Sequence, residues 1–207
     1  MIVPKRLLVL GFGGHARSVA DVALSLGIKQ LFFLDENARP EEQFCSFPVK
    51  AAIDFVPDEE WQALPASGDN ARRREQIAWA EQNGFKVATL ISDRATLGIG
   101  ARIGAGSFVA HHAHVGPMAN VGKACIINTG AVVEHECTVG DYTHISVNSV
   151  VAGRSRIGNQ CFIGASAAVI DGISVGDEVV LGAGGCAVHS LTEPGVYIGV
   201  PARRMGS

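Results

Sequence analysis

From Ile91 to Thr192 the chain keeps one six-residue frame, repeated seventeen times without an insertion. Few folds accept so strict a period. The first position of the hexad begins Ile91, Leu97, Ile103, Val109 and ends Val175, Leu181, Ala187, with Leu, Ile or Val at sixteen of the seventeen places. The second position is Gly in nine hexads, at Gly98, Gly104, Gly116, Gly122, Gly140, Gly158, Gly164, Gly176 and Gly182, and the fifth is Ala, Ser, Cys, Thr or Gly in fourteen. A fifth-position residue stands two before the next first position, so in extended chain both side chains point the same way. Each strand then sends one small and one aliphatic group inward. Stacking such strands in parallel makes a narrow prism, with Gly easing the chain path near the corners. Cys125, Cys137 and Cys161 fall on the small inward position, which makes them packing thiols rather than reactive ones.

The pattern resembles the hexapeptide repeat of left-handed parallel β-helices, in which three hexads make one triangular coil. Seventeen hexads then make nearly six coils. Composition agrees with a prism too narrow for rings: residues 91–192 hold 16 of the 25 Gly but only Phe108, Tyr142 and Phe162 of the 13 aromatics. The same 102 residues carry 12 charged side chains against 22 in the first 90, so part of this surface is expected to be covered by a ligand or another chain. The net charge of -3 gives electrostatics no support for nucleic acid as the main partner. Five Cys without a CxxC pair argue against a zinc knuckle or a disulfide scaffold. The apolar run Leu7–Leu10 is too short for a signal core or a membrane span, so a reducing cytoplasm is the expected compartment.

Residues 1–90 read differently, as a small Rossmann-like α/β domain before the repeat domain of 91–207. A short apolar strand, Leu7 to Leu10, meets Gly11-Phe12-Gly13-Gly14-His15-Ala16, and a helix follows with Val19, Ala20, Val22, Ala23 and Leu26 on one side, ended by Gly27. A second strand, Leu31 to Leu34, leads to Asp35-Glu36. Gly11, Gly13 and Ala16 satisfy the dinucleotide fingerprint G-x-G-x-x-G/A, which suits a phosphate at the helix start and a ribose at the acidic strand end. About 90 residues are too few for two mononucleotide halves, which favours a nucleotide carrying a sugar over NAD. Asp69 or Asn70 is placed to cap a second helix. Leu64-Pro65-Ala66 reads as a weak strand, since Pro donates no ladder hydrogen bond. The strand-like run Phe85 to Ile91 joins the two domains without a flexible linker, so they are expected to pack together.

The repeat frame sorts the histidines. His135 and Glu136 take the third and fourth places of their hexad, on an exposed corner; His144 takes a sixth place and points out of the prism. His189 shares the face of His135 but lies three coils away, roughly 14 Å at ordinary strand spacing. His111, His112 and His114 form a cluster whose spacing does not converge with His135 or His144, so no metal is expected, although zinc does occur on β-helices.

The run Ile127 to Cys137, with Gly11–Ala16, Asp35, Gly68-Asp69-Asn70 and Gly195–Arg203, resembles the bacterial nucleotide-sugar N-acetyltransferases of the hexapeptide family. These are similar to the enzyme that acetylates the 4-amino group of a UDP-linked 4-amino-4,6-dideoxy-N-acetylglucosamine in bacillosamine synthesis, and to sialic-acid O-acetyltransferases. The resemblance implies a homotrimer with acetyl-CoA in the groove between neighbouring prisms and the nucleotide sugar on the N-terminal domain. It makes His135 the general base and Glu136 its orienting carboxylate. It assigns His144 and the backbone at Gly153, Ala165 and Ala183 to acetyl-CoA, and Gly13, Gly14, His15, Asp35, Glu36 and Asn128 to the substrate. Alternatives with the same parts are O-acetylation of a sugar hydroxyl, N-acetylation of a GDP-linked amino sugar of the perosamine type, and a non-enzymatic nucleotide-binding scaffold.

Overall fold

A computed structural model describes residues 3–53, 58 and 60–206. Its first sheet is built from β1 (Arg6–Leu10), β2 (Gln30–Leu34), β3 (Gln43–Phe44), β4 (Phe47–Lys50), β5 (Trp61–Pro65) and β6 (Lys86–Val87), in the order β3-β4-β2-β1-β5-β6. All pairings but β3 with β4 are parallel. Helix α1 (Gly14–Ser25) follows β1, and α2 (Asn70–Gln82) follows β5. Gly11 has φ +102 and donates its N–H to Leu34 O, a turn that only Gly makes without strain.

The stretch ending in Pro65 is a full strand held between β1 and β6, not the weak one its sequence suggests. Ala66 donates to Leu10 O on the β1 side, so the N–H that Pro65 lacks would have pointed to the other side. There β6 pairs only with Gln62 and Ala63, and no ladder partner is forfeited. Asp69 caps α2 by accepting the Arg72 N–H at 2.8 Å, while Asn70 turns its amide to the β-helix.

The seventeen hexads become seventeen short parallel strands of a left-handed β-helix. A first face runs from Leu90–Ile91, a second from Thr96–Leu97 and a third from Arg102–Ile103, and each strand pairs with the one eighteen residues on, as in Val109↔Ile127↔Ile145. The first face is extended by Gly195–Ile198 and Arg203–Arg204. First and fifth positions fill the interior: Val133, Cys137, Ile145, Cys161 and Ile163 are fully buried. Burying each such aliphatic side chain contributes about 1.5–3 kcal/mol. Leu97 is an exception at 44% exposed, because it lies in the first coil, where the prism is open. The inward thiols donate to carbonyls of neighbouring strands, and burial raises Cys125 to about 12 and Cys161 to about 11, as inert packing groups require.

Second-position glycine has a steric cause that the spacing did not reveal. A Cβ on Gly140 would stand 2.5 Å from Gly158 C and 2.7 Å from Asn159 N, inside the backbone of the next coil. Five of the nine second-position glycines, from Gly104 to Gly176, lie on the third face. From Gly100 to Gly184 the fourth position turns the chain with positive φ whether or not it is Gly, as at Glu136 (φ 58) and Arg154 (φ 59).

The run from Phe85 divides between two sheets: Lys86–Val87 closes the N-terminal sheet and Leu90–Ile91 opens the β-helix. The N-terminal domain then lies on the first face. Leu7, Val9, Ala16 and Val19 share one core with Leu90, Phe108, Ala110 and Ile126. Arg73 fastens the contact. Fully buried, it donates to Ala124 O (2.7 Å), Tyr142 O (2.6 Å), Ser67 O (3.1 Å) and Asn70 Oδ1 (2.7 Å). Burial pulls its pKa down to about 10. No helix among the described residues is long and apolar enough to cross a membrane.

Candidate active site

The N-terminal cleft is shaped by the turn after β1. Gly13 is the N-cap of α1, without a side-chain cap and without an acidic group in the first turn, so the free N–H groups of that turn remain available to an anion. Asp35 supports the loop: Oδ2 accepts the Phe12 N–H at 2.7 Å and Oδ1 accepts the Asn37 N–H at 2.9 Å. Gln76, which sequence reasoning missed, bridges the two glycine loops. Its amide donates to Leu10 O, and its oxygen accepts from the Ala66 and Ser67 N–H groups. A cavity of about 350 Å³ lies among Gly13, Gly14, His15, Asp35, Gly68 and Gln76. It is continuous through Gly11, Asp35, Arg72 and Gln76 with a cleft of about 540 Å³, where Arg72 meets Glu36 at 2.7 Å.

Behind that cavity lies the first face of the β-helix. His144 does point out of the prism, but the N-terminal domain covers it to 6% exposure. Its Nδ1–H donates to Gly68 O at 3.3 Å, its Nε2 accepts from the Asn128 amide at 3.1 Å, and its ring meets Phe162 edge-on. Burial first, then the nearby Arg73 charge, lowers its pKa to about 4. His15 stands 6.2 Å from it, ring to ring, and against Phe108. The His15 Nε2 is sealed from solvent without a hydrogen-bond partner. Burial, with His144 and Arg73 nearby, lowers the pKa of His15 to about 3. Both imidazoles are therefore neutral polar surfaces at the back of the cleft.

His135 and Glu136 are elsewhere, on the edge between the second and third faces. His135 Nδ1 is 3.2 Å from Glu136 Oε2, with side chains 42% and 60% exposed. Glu134 accepts the His135 N–H at 3.1 Å. The ring rests on Gly153 one coil away: a Cβ there would be 2.5 Å from His135 Nε2. With Nδ1–H directed to Glu136, Nε2 keeps its lone pair toward the open side, the arrangement of a general base. Ala165 and Ala183 are exposed on a third location, the edge between the first and second faces.

A single chain thus gathers Gly13, Gly14, His15 and Asp35 around one cleft, with Glu36 on its flank and His144, bonded to Asn128, behind Gly68 and His15, and holds His135, Glu136 and Gly153 together on another edge. The N-terminal domain touches both edges of the first face, through Asp21 to His111 and through Arg73 to Ala124 and Tyr142, but not the edge of His135. His111 Nδ1 also meets Ser92 Oγ, and His114 meets Thr96; no group of three metal-ligating side chains gathers among the described residues.

The PglD N-terminal domain model matches residues 6–80, and the model for the hexapeptide repeat of succinyl-transferase matches residues 155–185. The acetyltransferase domain of PglB from Neisseria gonorrhoeae, solved also in complex with acetyl coenzyme A, is 31% identical with a TM-score of 0.89, covering 97% of this chain and 100% of that one. A mutant of GDP-perosamine N-acetyl transferase from Caulobacter crescentus, in complex with CoA and GDP-perosamine, is 28% identical with a TM-score of 0.89, covering 98% and 97%. WeeI from Acinetobacter baumannii, at 18% identity and TM-score 0.69 over 97% and 99%, shares the fold. No curated protein sequence matches the chain.

Proposed function

This chain belongs to the bacterial nucleotide-sugar N-acetyltransferases of the hexapeptide-repeat family, and from that premise we propose that it moves acetyl from acetyl-CoA to the amino group of a nucleotide-linked amino-deoxy sugar. The acceptor we favour is the 4-amino group of a UDP-4-amino-4,6-dideoxy-N-acetylglucosamine. The observation that carries the reading is the pair His135–Glu136, a base whose Nδ1 is held by a carboxylate and whose Nε2 is free on an exposed edge. The uncapped start of α1 and the cavity beside it would hold the diphosphate and sugar.

In the reaction the neutral amine attacks the thioester carbonyl carbon. A C–N bond forms, His135 Nε2 takes the proton the nitrogen sheds, and Glu136 stabilises the imidazolium. Collapse of the tetrahedral adduct breaks the C–S bond, and the imidazolium returns the proton to the leaving sulfur. Amide and CoA thiol are the products.

Nucleotide cleft and base cannot share one substrate within one chain, because the cleft lies on the first face and His135 on the opposite edge. The reading therefore includes a homotrimer in which the cleft of one copy meets His135 of its neighbour. The second face supports this contact: Glu134 is the only charged residue among its outward positions, and Val150 and Ile170 are 38% and 39% exposed on it. Ala165 and Ala183 border the same face and would line the acetyl-CoA groove with Gly153.

The test is CoA thiol release with acetyl-CoA and UDP- or GDP-linked 4-amino sugars, using wild type and His135→Ala. A loss in kcat on the order of 10²–10⁴-fold in the variant is expected for removal of a general base. No release with any of these acceptors, or full activity in His135→Ala, refutes the proposal.

A further inference from the structure

Two charged side chains beside the base have no part in the reaction as described. Arg154 follows Gly153 one coil beyond His135, and Asp171 stands a further coil along the same edge. Arg154 Nη2 and Asp171 Oδ1 form an ion pair of 2.5 Å, with the two side chains 59% and 48% exposed. That contact uses one carboxylate oxygen. The other, Oδ2, faces the base: the Cβ position of Gly153 is 2.5 Å from His135 Nε2 and 3.1 Å from Asp171 Oδ2, which caps the separation of the two atoms at about 5.6 Å.

We propose that Asp171 Oδ2 is an anchor for the substrate's amino nitrogen, which it receives as ammonium and holds against His135 Nε2, so that this chain selects amino over hydroxyl acceptors. A tetrahedral nitrogen with hydrogen bonds of about 2.8–2.9 Å to each partner joins atoms roughly 4.7 Å apart, within the limit set by Gly153. Glu136 is committed to the Nδ1 side of the ring and Glu134 to the His135 N–H, so Asp171 is the carboxylate that faces the base atom. Arg154 fixes the carboxylate plane through Oδ1 and leaves Oδ2 directed at the space above Gly153. An ammonium meets that oxygen with a charge-assisted bond about twice as strong as a neutral hydroxyl makes. The extra proton of the ammonium passes to His135 Nε2 and from this exposed ring to solvent. The freed amine then attacks while still hydrogen-bonded to Asp171, and His135 is again ready to take the proton shed on addition.

The inference rests on the acetyl-transfer reading and is tested apart from it. Binding of the UDP-linked 4-amino sugar and of its 4-hydroxyl, 6-deoxy counterpart is measured by calorimetry for wild type and Asp171→Asn, together with KM for acetyl-CoA. Expected for D171N is a Kd for the amino ligand raised ~10-fold, with the hydroxyl ligand and the acetyl-CoA KM within about twofold of wild type. Arg154→Met is expected to shift the same ligand in the same direction by less. Equal losses on both ligands, a rise in the acetyl-CoA KM instead, or unchanged discrimination between amine and hydroxyl overturns it. A wild type that acetylates no amino sugar removes the acetyl-transfer reading itself; an active wild type with a non-selective D171N removes only the role of Asp171.

Discussion

Gly153→Ala tests whether the base is held in place by the absence of one methyl group. The added Cβ would lie 2.5 Å from His135 Nε2, 2.6 Å from Cε1 and 3.1 Å from Asp171 Oδ2. Ordinary carbon contacts begin near 3.4 Å, so the imidazole has to retreat by roughly 1 Å, and a displacement of that size at a reacting group costs about 10²-fold. Gly153 has no positive φ, and the atoms it would strike are the ends of exposed side chains rather than backbone, so the fold should survive. The assay is kcat for CoA release, alongside the midpoint of thermal unfolding. The expected result is kcat lowered about 10²-fold with the midpoint unchanged. In a His135→Ala background the same substitution should cost much less, because the larger part of its effect passes through the ring. If G153A retains more than a third of wild-type kcat, or if its loss persists undiminished in the His135→Ala background, the ring does not depend on that space.

Replacing Arg73 by Met leaves four buried oxygens without their donor and should cost about 3 kcal/mol or more of unfolding free energy by urea titration; a loss under about 1 kcal/mol would show that water replaces the guanidinium freely. His144 is held neutral with a folded pKa of about 4, below the unfolded value near 6.5. The unfolded chain therefore binds the extra proton, and stability that is complete above pH 6.5 falls as pH drops toward 4, by up to about 1.4 kcal/mol per pH unit from this group. His15, lowered to about 3, acts in the same direction over a window reaching lower. His144→Gln should flatten that dependence in urea titrations between pH 7.5 and 4.5; an unaltered slope would mean that other groups set it. Ile170→Glu, on the sparsely charged second face, should yield monomers by sedimentation that bind the nucleotide sugar but release no CoA, whereas active monomers would exclude a shared site.

How far the sequence could be read depends on which side of the strand a residue faces. Inward positions are set by the repeat alone, since every coil presents the same narrow space, and Val133, Cys137 and Ile145 fall where the period puts them. Outward positions are set by whatever covers the face, and nothing in a six-residue frame says what that is. His144 and Arg156 both occupy sixth positions; one is buried beneath the N-terminal domain and the other is exposed on the third face. The signal for covering was nevertheless present, because the corresponding positions of the first face, Leu90, Phe108, Ile126, Phe162 and Val180, are apolar at every coil but that of His144, where those of the third face, Arg102, Asn120, Thr138 and Arg156, are polar. Reading every third hexad rather than every hexad exposes that difference. The same reading places Pro117, His135, Gly153, Asp171 and His189 in one column, so the neighbours of the base above and below it are legible at a period of eighteen. What remains out of reach is Gln76 joining two glycine loops and Arg73 reaching Ala124 and Tyr142, since such contacts between domains obey no period. A site on this fold therefore divides in two: the base and its column follow from the repeat, and the cleft that would bring substrate to it follows only from how the first domain is laid on the prism.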